Sequence, residues 1–138
     1  WLGILYTLDG EGVVMAESTS SIPPAGMPVV TGFRVSNISV GQQLAVRSQG
    51  QLEAYRVIME ELELQMYQSQ VSEINLADPD NIYLVTAEGV TVRLGDANYM
   101  QAKIGAVRTD MAYLRQLGKT SGILDVTTPE DAKYMPED

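Results

Sequence analysis

Between Ile82 and Leu117 the sequence spells a hairpin that runs into a helix, and no other stretch narrows the fold as far. IYLVTA and VTVRLG are β-prone runs joined by Glu88-Gly89, a pair suited to a tight turn. From about Asn98 onward, Met100, Ile104, Val107, Met111, Leu114 and Leu117 recur at steps of three and four, which stacks them on one helical face. Gly118 follows where a C-terminal glycine belongs. The glycine before this helix raises the question of a phosphate loop. Such a loop needs a lysine followed by Ser or Thr after its glycines, and RLGDANYM has neither. A dinucleotide fingerprint needs three spaced glycines, and only Gly95 is present. The stretch therefore reads as structural: Gly95 ends the strand, and Asp96 or Asn98 caps the helix by accepting backbone N–H bonds.

The remaining elements fit around that unit. Leu2–Leu8 and Gly12–Met15 flank DGEG and read as a first hairpin. Residues 17–32, ESTSSIPPAGMPVVTG, are rich in Ser, Pro and Gly and read as an irregular surface loop. Residues 51–69 predict a helix, with Leu52, Tyr55, Met59, Leu62 and Met66 on one face. VSEINL is a strand, DPDN a turn, residues 123–127 another strand, and DAKYMPE a short β-capable segment between Pro129 and Pro136. The order ββ–loop–α–βββ–α–ββ, with strands meeting mostly through hairpins, predicts an α+β domain. Its sheet is antiparallel, of mixed order, with two helices packed on one face.

Composition removes much chemistry. The 138 residues include no Cys and no His, so disulfides, thiolate nucleophiles, the usual zinc ligands and the commonest general base are absent. A net charge of -9 repels nucleic acid and favours basic or apolar partners. The carboxylate pairs Asp9/Glu11, Asp78/Asp80 and Glu130/Asp131 each fall in turn sequence, where such residues bond their own backbone. A small carboxylate-based hydrolase or a glycan-binding module using one of them is the rival reading. The Ser18–Ser21 cluster and Lys119-Thr120-Ser121 read as solvated loops, and Met59, Met66, Met100 and Met111 as core packing. No catalytic residue, metal or cofactor is expected. No run is long enough to span a membrane, and no signal peptide is visible. The chain opens at WLGILYTLDG, inside a strand-like pattern, and is expected to be a fragment with an upstream part missing.

The succession DGEGVV, MPVVTGF, helix, VSEINLADPDNIYLVTAEGVTVRLGDANYMQAKIGAV, helix and ILDVTTPEDAKYMP resembles the extracytoplasmic β domain of the bacterial cell-division family FtsQ/DivIB, over essentially all of residues 1–138. No single segment is a catalytic signature; the order and spacing carry the resemblance. It implies a non-enzymatic scaffold with a cytoplasmic tail, one transmembrane helix and a POTRA domain upstream. It also implies a septal location outside the cytoplasm, partners of the FtsB/DivIC and FtsL type, and a part in regulating septal peptidoglycan synthesis. The partner's strand would add beside Asp125, Val126, Thr127, Thr128, Ala132, Lys133, Tyr134 and Met135, with Tyr134 and Met135 as an apolar anchor. Tyr134 matches the family's aromatic before the closing Pro, while Ile123 stands where the family has an aromatic before Leu-Asp. Weak self-association through the same edge is the further expectation.

Overall fold

The structure, a computed structural model, describes residues 4–18, 20 and 22–137. The first hairpin pairs β1 (Tyr6–Leu8) antiparallel with β2 (Val14–Glu17). Its turn is closed by Asp9, whose Oδ1 accepts the N–H groups of Glu11 and Val13, each at 2.9 Å. The expected strand began at Leu2, which lies outside the described residues.

The segment expected to be loop throughout contains a strand, β3 (Val29–Thr31), immediately after Pro28. Its β-branched run finds a ladder that local composition does not announce: it pairs in parallel with β6 (Val71–Asn75), forty residues on. Two short strands, β4 (Val35–Asn37) and β5 (Ala45–Val46), pair beside it and were not anticipated.

The main sheet has six strands. With β7 (Ile82–Thr86), β8 (Thr91–Gly95), β9 (Ile123–Asp125) and β10 (Lys133–Met135), its order is β10-β9-β8-β7-β6-β3. The β6–β7, β7–β8 and β9–β10 pairs are antiparallel, and β3–β6 and β8–β9 are parallel. Each parallel pair is joined through a helix, α1 (Gln49–Leu64) or α2 (Met100–Gln116). Parallel neighbours need such a crossover, which is why both helices cover one face. The predicted α+β class, with a largely antiparallel sheet of mixed order, is what the structure shows.

The core lies between that face and the helices. Ile58 and Leu62 of α1, Ile104, Val107 and Met111 of α2, and Ile74, Leu84, Val92, Leu94 and Val126 of the sheet side are fully buried. Each such side chain contributes about 1.5–3 kcal/mol of burial. Met66 is a correction to the expected apolar stripe: it is 83% exposed at φ 55. It ends α1 five residues earlier than predicted. The N–H of Met66 donates to Glu63 O and that of Tyr67 to Leu62 O, the bonding of a left-handed helix stop without its usual glycine. At α2 the same pattern uses Gly118, at φ 71, as the sequence predicts.

Two polar groups tie the layers. Gln51, 1% exposed, donates from Nε2 to Gly32 O (2.8 Å) and Leu76 O (2.9 Å) and accepts the Arg34 N–H (2.8 Å). Lys103, 2% exposed, donates from Nζ to Asp96 O (2.9 Å) and Asp96 Oδ1 (3.2 Å). This corrects the expected helix cap. Asp96 bonds the Asn98 N–H before the helix begins, and the residue preceding α2 is Tyr99, left-handed at φ 58, with no side-chain cap.

Candidate partner-binding edge

β10 is the terminal strand of the main sheet, so its outer side has no neighbour among the described residues. Backbone groups alternate along a strand, and two bonds fix which way they point here. Thr91 N–H donates to Gly122 O and Val126 N–H to Arg93 O, so residues 122, 124 and 126 turn their backbone toward β8. Ile123 and Asp125 therefore turn theirs toward β10, opposite Met135 and Lys133. That leaves Tyr134 with its N–H and C=O directed outward, a donor and acceptor with no strand partner among the described residues at the middle of the edge.

The side chain of Tyr134 goes elsewhere. It shares a face with its register partner Leu124, packs against the core, and donates from its hydroxyl to Ser121 O at 2.6 Å. It is a strut holding β10 down, while its backbone forms the open edge. Beneath it is Gly122 at φ 98, where a Cβ would stand 2.6 Å from Met135 O and 2.9 Å from Tyr134 Oη. Only a glycine lets the strand seat this closely. Sequence reasoning passed over Gly122; the Ser-Gly step before a β run was its one signal.

The other expected residues divide. Met135 (43% exposed), Lys133 and Asp125 share the sheet face that the helices leave uncovered, with Ile123, which was not among the expected residues, beside them. Thr127 and Thr128 are exposed in the connection that leads into a 3-10 turn at Pro129–Asp131. Ala132 is half-buried against the core, and Val126 is fully buried with its N–H already bonded. Neither presents a side chain outward. Burial alone would raise the Asp125 carboxyl. The Thr127 hydroxyl (2.7 Å) and N–H (2.9 Å), followed by the charges of Arg93 and Lys133, hold it below its ordinary value. Next to these residues the open face carries a shallow cleft of about 330 Å³, lined by Tyr83, Thr91, Arg93, Ile123 and Thr127 among others.

The carboxylate pairs lie in turns or a short 3-10 helix. Asp9 serves its hairpin, and Asp78 accepts from Asp80 N–H (3.0 Å) and Asn81 Nδ2 (2.9 Å), with Asn81 the larger cause of its lowered pKa. Glu130 and Asp131 lie in the short 3-10 turn. Among the described residues no group of three or more acidic side chains is placed to hold a metal ion. No described helix is long and apolar enough to cross a membrane.

Residues 2–126 match the family model described as cell division protein FtsQ/DivIB, C-terminal. No curated protein matches the chain. The match covers the first hairpin, both helices and the sheet through β9, and stops before β10.

Proposed function

The chain belongs to the FtsQ/DivIB C-terminal family, with a role in cell division, and on that premise we propose that it is a non-enzymatic scaffold domain of the divisome. The partner is a segment of an FtsB/DivIC-type protein, together with FtsL, which adds a strand along β10 and so helps regulate septal peptidoglycan synthesis. The whole protein is a single-pass membrane protein, with this domain outside the cytoplasm and a POTRA domain between it and the membrane.

One observation carries the reading: β10 ends the sheet with the Tyr134 N–H and C=O directed outward and an uncovered face beside them. A strand laid there gains backbone bonds at Tyr134, and its side chains reach Met135 and Ile123. Tyr134 and Met135 thus divide the anchor role: Tyr134 supplies the backbone and the support, Met135 the apolar contact.

The test is calorimetric titration of the chain with the organism's own FtsB/DivIC-type segment. Truncation after Thr128 should abolish binding, and Tyr134→Ala should weaken it strongly, with the core still melting cooperatively. Wild-type affinity in both variants would remove β10 as the docking edge.

A further inference from the structure

At the end of the sheet opposite β10, β3 is the terminal strand, and it faces the first hairpin across a cleft of about 530 Å³. Residues 5–8 line one wall and residues 29–33 the other. Side chains of a strand alternate between faces, so a cleft against a face is lined by every second residue. Consecutive residues on both walls mean that this cleft runs along two strand edges.

The backbone bonds agree. Leu5 O accepts the Ser18 N–H and Asp9 N–H donates to Val13 O, so these residues turn their backbone toward β2, and Tyr6 and Leu8 turn theirs away. Thr31 O accepts the Leu76 N–H, so Thr31 faces β6 and Val30 faces the cleft. Among the described residues β1 pairs only with β2, and β3 only with β6.

The cleft is also neutral. The chain has 18 acidic and 9 basic residues, and among the described residues none of them lines it. Its floor is Phe33, Tyr55 and Met59, with the two rings 5.7 Å apart. Tyr55 is fixed by a 2.8 Å bond from its hydroxyl to Asp9 O, and burial, followed by the Asp9 charge, pushes its pKa up to about 12. A charged side chain entering here would lose its hydration and find no partner. A strand residue occupies about 160 Å³, from its rise, the strand spacing and the sheet spacing, so the cleft has room for roughly three.

We infer that this cleft receives an uncharged, extended segment of a partner protein, inserted as a strand between β1 and β3 and joining the hairpin to the main sheet. Outward backbone on both walls supplies the pairing, and the neutral apolar floor sets the side-chain preference. The inference does not depend on the β10 reading, which concerns the other end of the sheet.

The experiment titrates the isotope-labelled full chain with the blocked peptide acetyl-Thr-Val-Thr-Val-Thr-amide and follows amide shifts and hydrogen exchange. Saturable binding is expected below about 1 mM, with slower exchange at the Tyr6, Leu8 and Val30 amides. N-methylation of the two valines, or Asp at the central position, should weaken binding about tenfold or more. Met59→Lys should do the same while leaving the β10-edge partner's affinity unchanged. Should that variant fail to fold, the peptide pair carries the test alone. Four results would overturn the inference. They are equal affinity for the N-methylated peptide, protection at Tyr134 in place of Tyr6 and Val30, absence of saturation to about 1 mM, and protection of the three amides that rises with protein concentration alone. The last would assign the cleft to a second copy of the chain.

Discussion

Gly122→Ala tests whether the edge is held as the geometry says. At φ 98 the backbone is left-handed, and the new Cβ would lie 2.6 Å from Met135 O and 2.9 Å from Tyr134 Oη, both on β10. The conformation costs an alanine about 1–2 kcal/mol, and pushing a backbone carbonyl aside adds about 1–3 kcal/mol. The chain has a local escape. β10 has only three residues, and ordering each costs about 1–2 kcal/mol, against a Tyr134–Ser121 bond of about 1 kcal/mol, the ladder to β9 and a partly buried ring. The net hold on β10 is a small remainder, so releasing it relieves the strain more easily than unfolding the core. Even about 2 kcal/mol shifts the docking of β10 by roughly thirtyfold. Native-state hydrogen exchange should show the Lys133 and Met135 amides opening by that factor, with Leu84 and Val92 still protected. Partner affinity should fall in step. Gly10→Ala, with nothing within 4 Å of its Cβ, is the control. Unchanged protection at Lys133 and Met135 would refute the seating argument. Released β10 with undiminished partner binding would refute the edge itself.

Three further outcomes follow from the same geometry. Tyr134→Phe loses the hydroxyl bond to Ser121 O and should cost about 1 kcal/mol of β10 docking, read as a several-fold drop in partner affinity by titration; Tyr134→Ala, which also removes the ring, should lose more. Gln51→Leu strands Gly32 O, Leu76 O and the Arg34 N–H and should lower unfolding free energy by about 2–4 kcal/mol in urea titration; a neutral result would mean water replaces all three bonds. The Asp96 carboxyl is held below its ordinary pKa, chiefly by the Asn98 N–H and then by Lys103. A depressed carboxylate stabilises the fold above its unfolded pKa and loses that contribution as pH falls through its folded value. Asp96→Asn should therefore be less stable than wild type at neutral pH, with the gap closing below about pH 4. A gap that persists in acid would mean that the loss does not come from the ionised carboxylate.

The parts legible in the sequence were those whose causes are local. Glu88-Gly89 turns a hairpin by itself, the four-and-three spacing from Met100 marks a helix face, and Gly118 stops that helix. What escaped depends on partners distant in the chain. β3 exists because residues 29–31 find β6, and their Pro- and Gly-rich flanks conceal it. α1 ends early because Met66 takes the left-handed position that a glycine would have announced. At Asp96 the sequence points to the right region but not to the bond, since the buried Lys103 that claims it is an ordinary basic residue in the sequence. At the candidate site the strand was readable, but its orientation was not. Only the register against β9 shows that the Tyr134 ring faces inward and its backbone outward.

That orientation bears on how specificity arises at such an edge. An open strand pairs with any extended chain unless something limits it. Here the limits are length and proline. Tyr134 offers one outward N–H, and the next outward position is Pro136, which has none. Few backbone bonds are on offer, so a partner strand must draw the rest of its affinity from side chains on the uncovered face. Those are Met135 and Ile123 as apolar contacts, with Arg93, Lys133 and Asp125 around them. Charges of both signs there, in a chain of net -9, favour a partner matched to that pattern over one merely basic. On the proposed docking along β10, recognition falls to the residues beside Tyr134, and Tyr134 itself, with Gly122 beneath it, holds the edge in the position where they can be read.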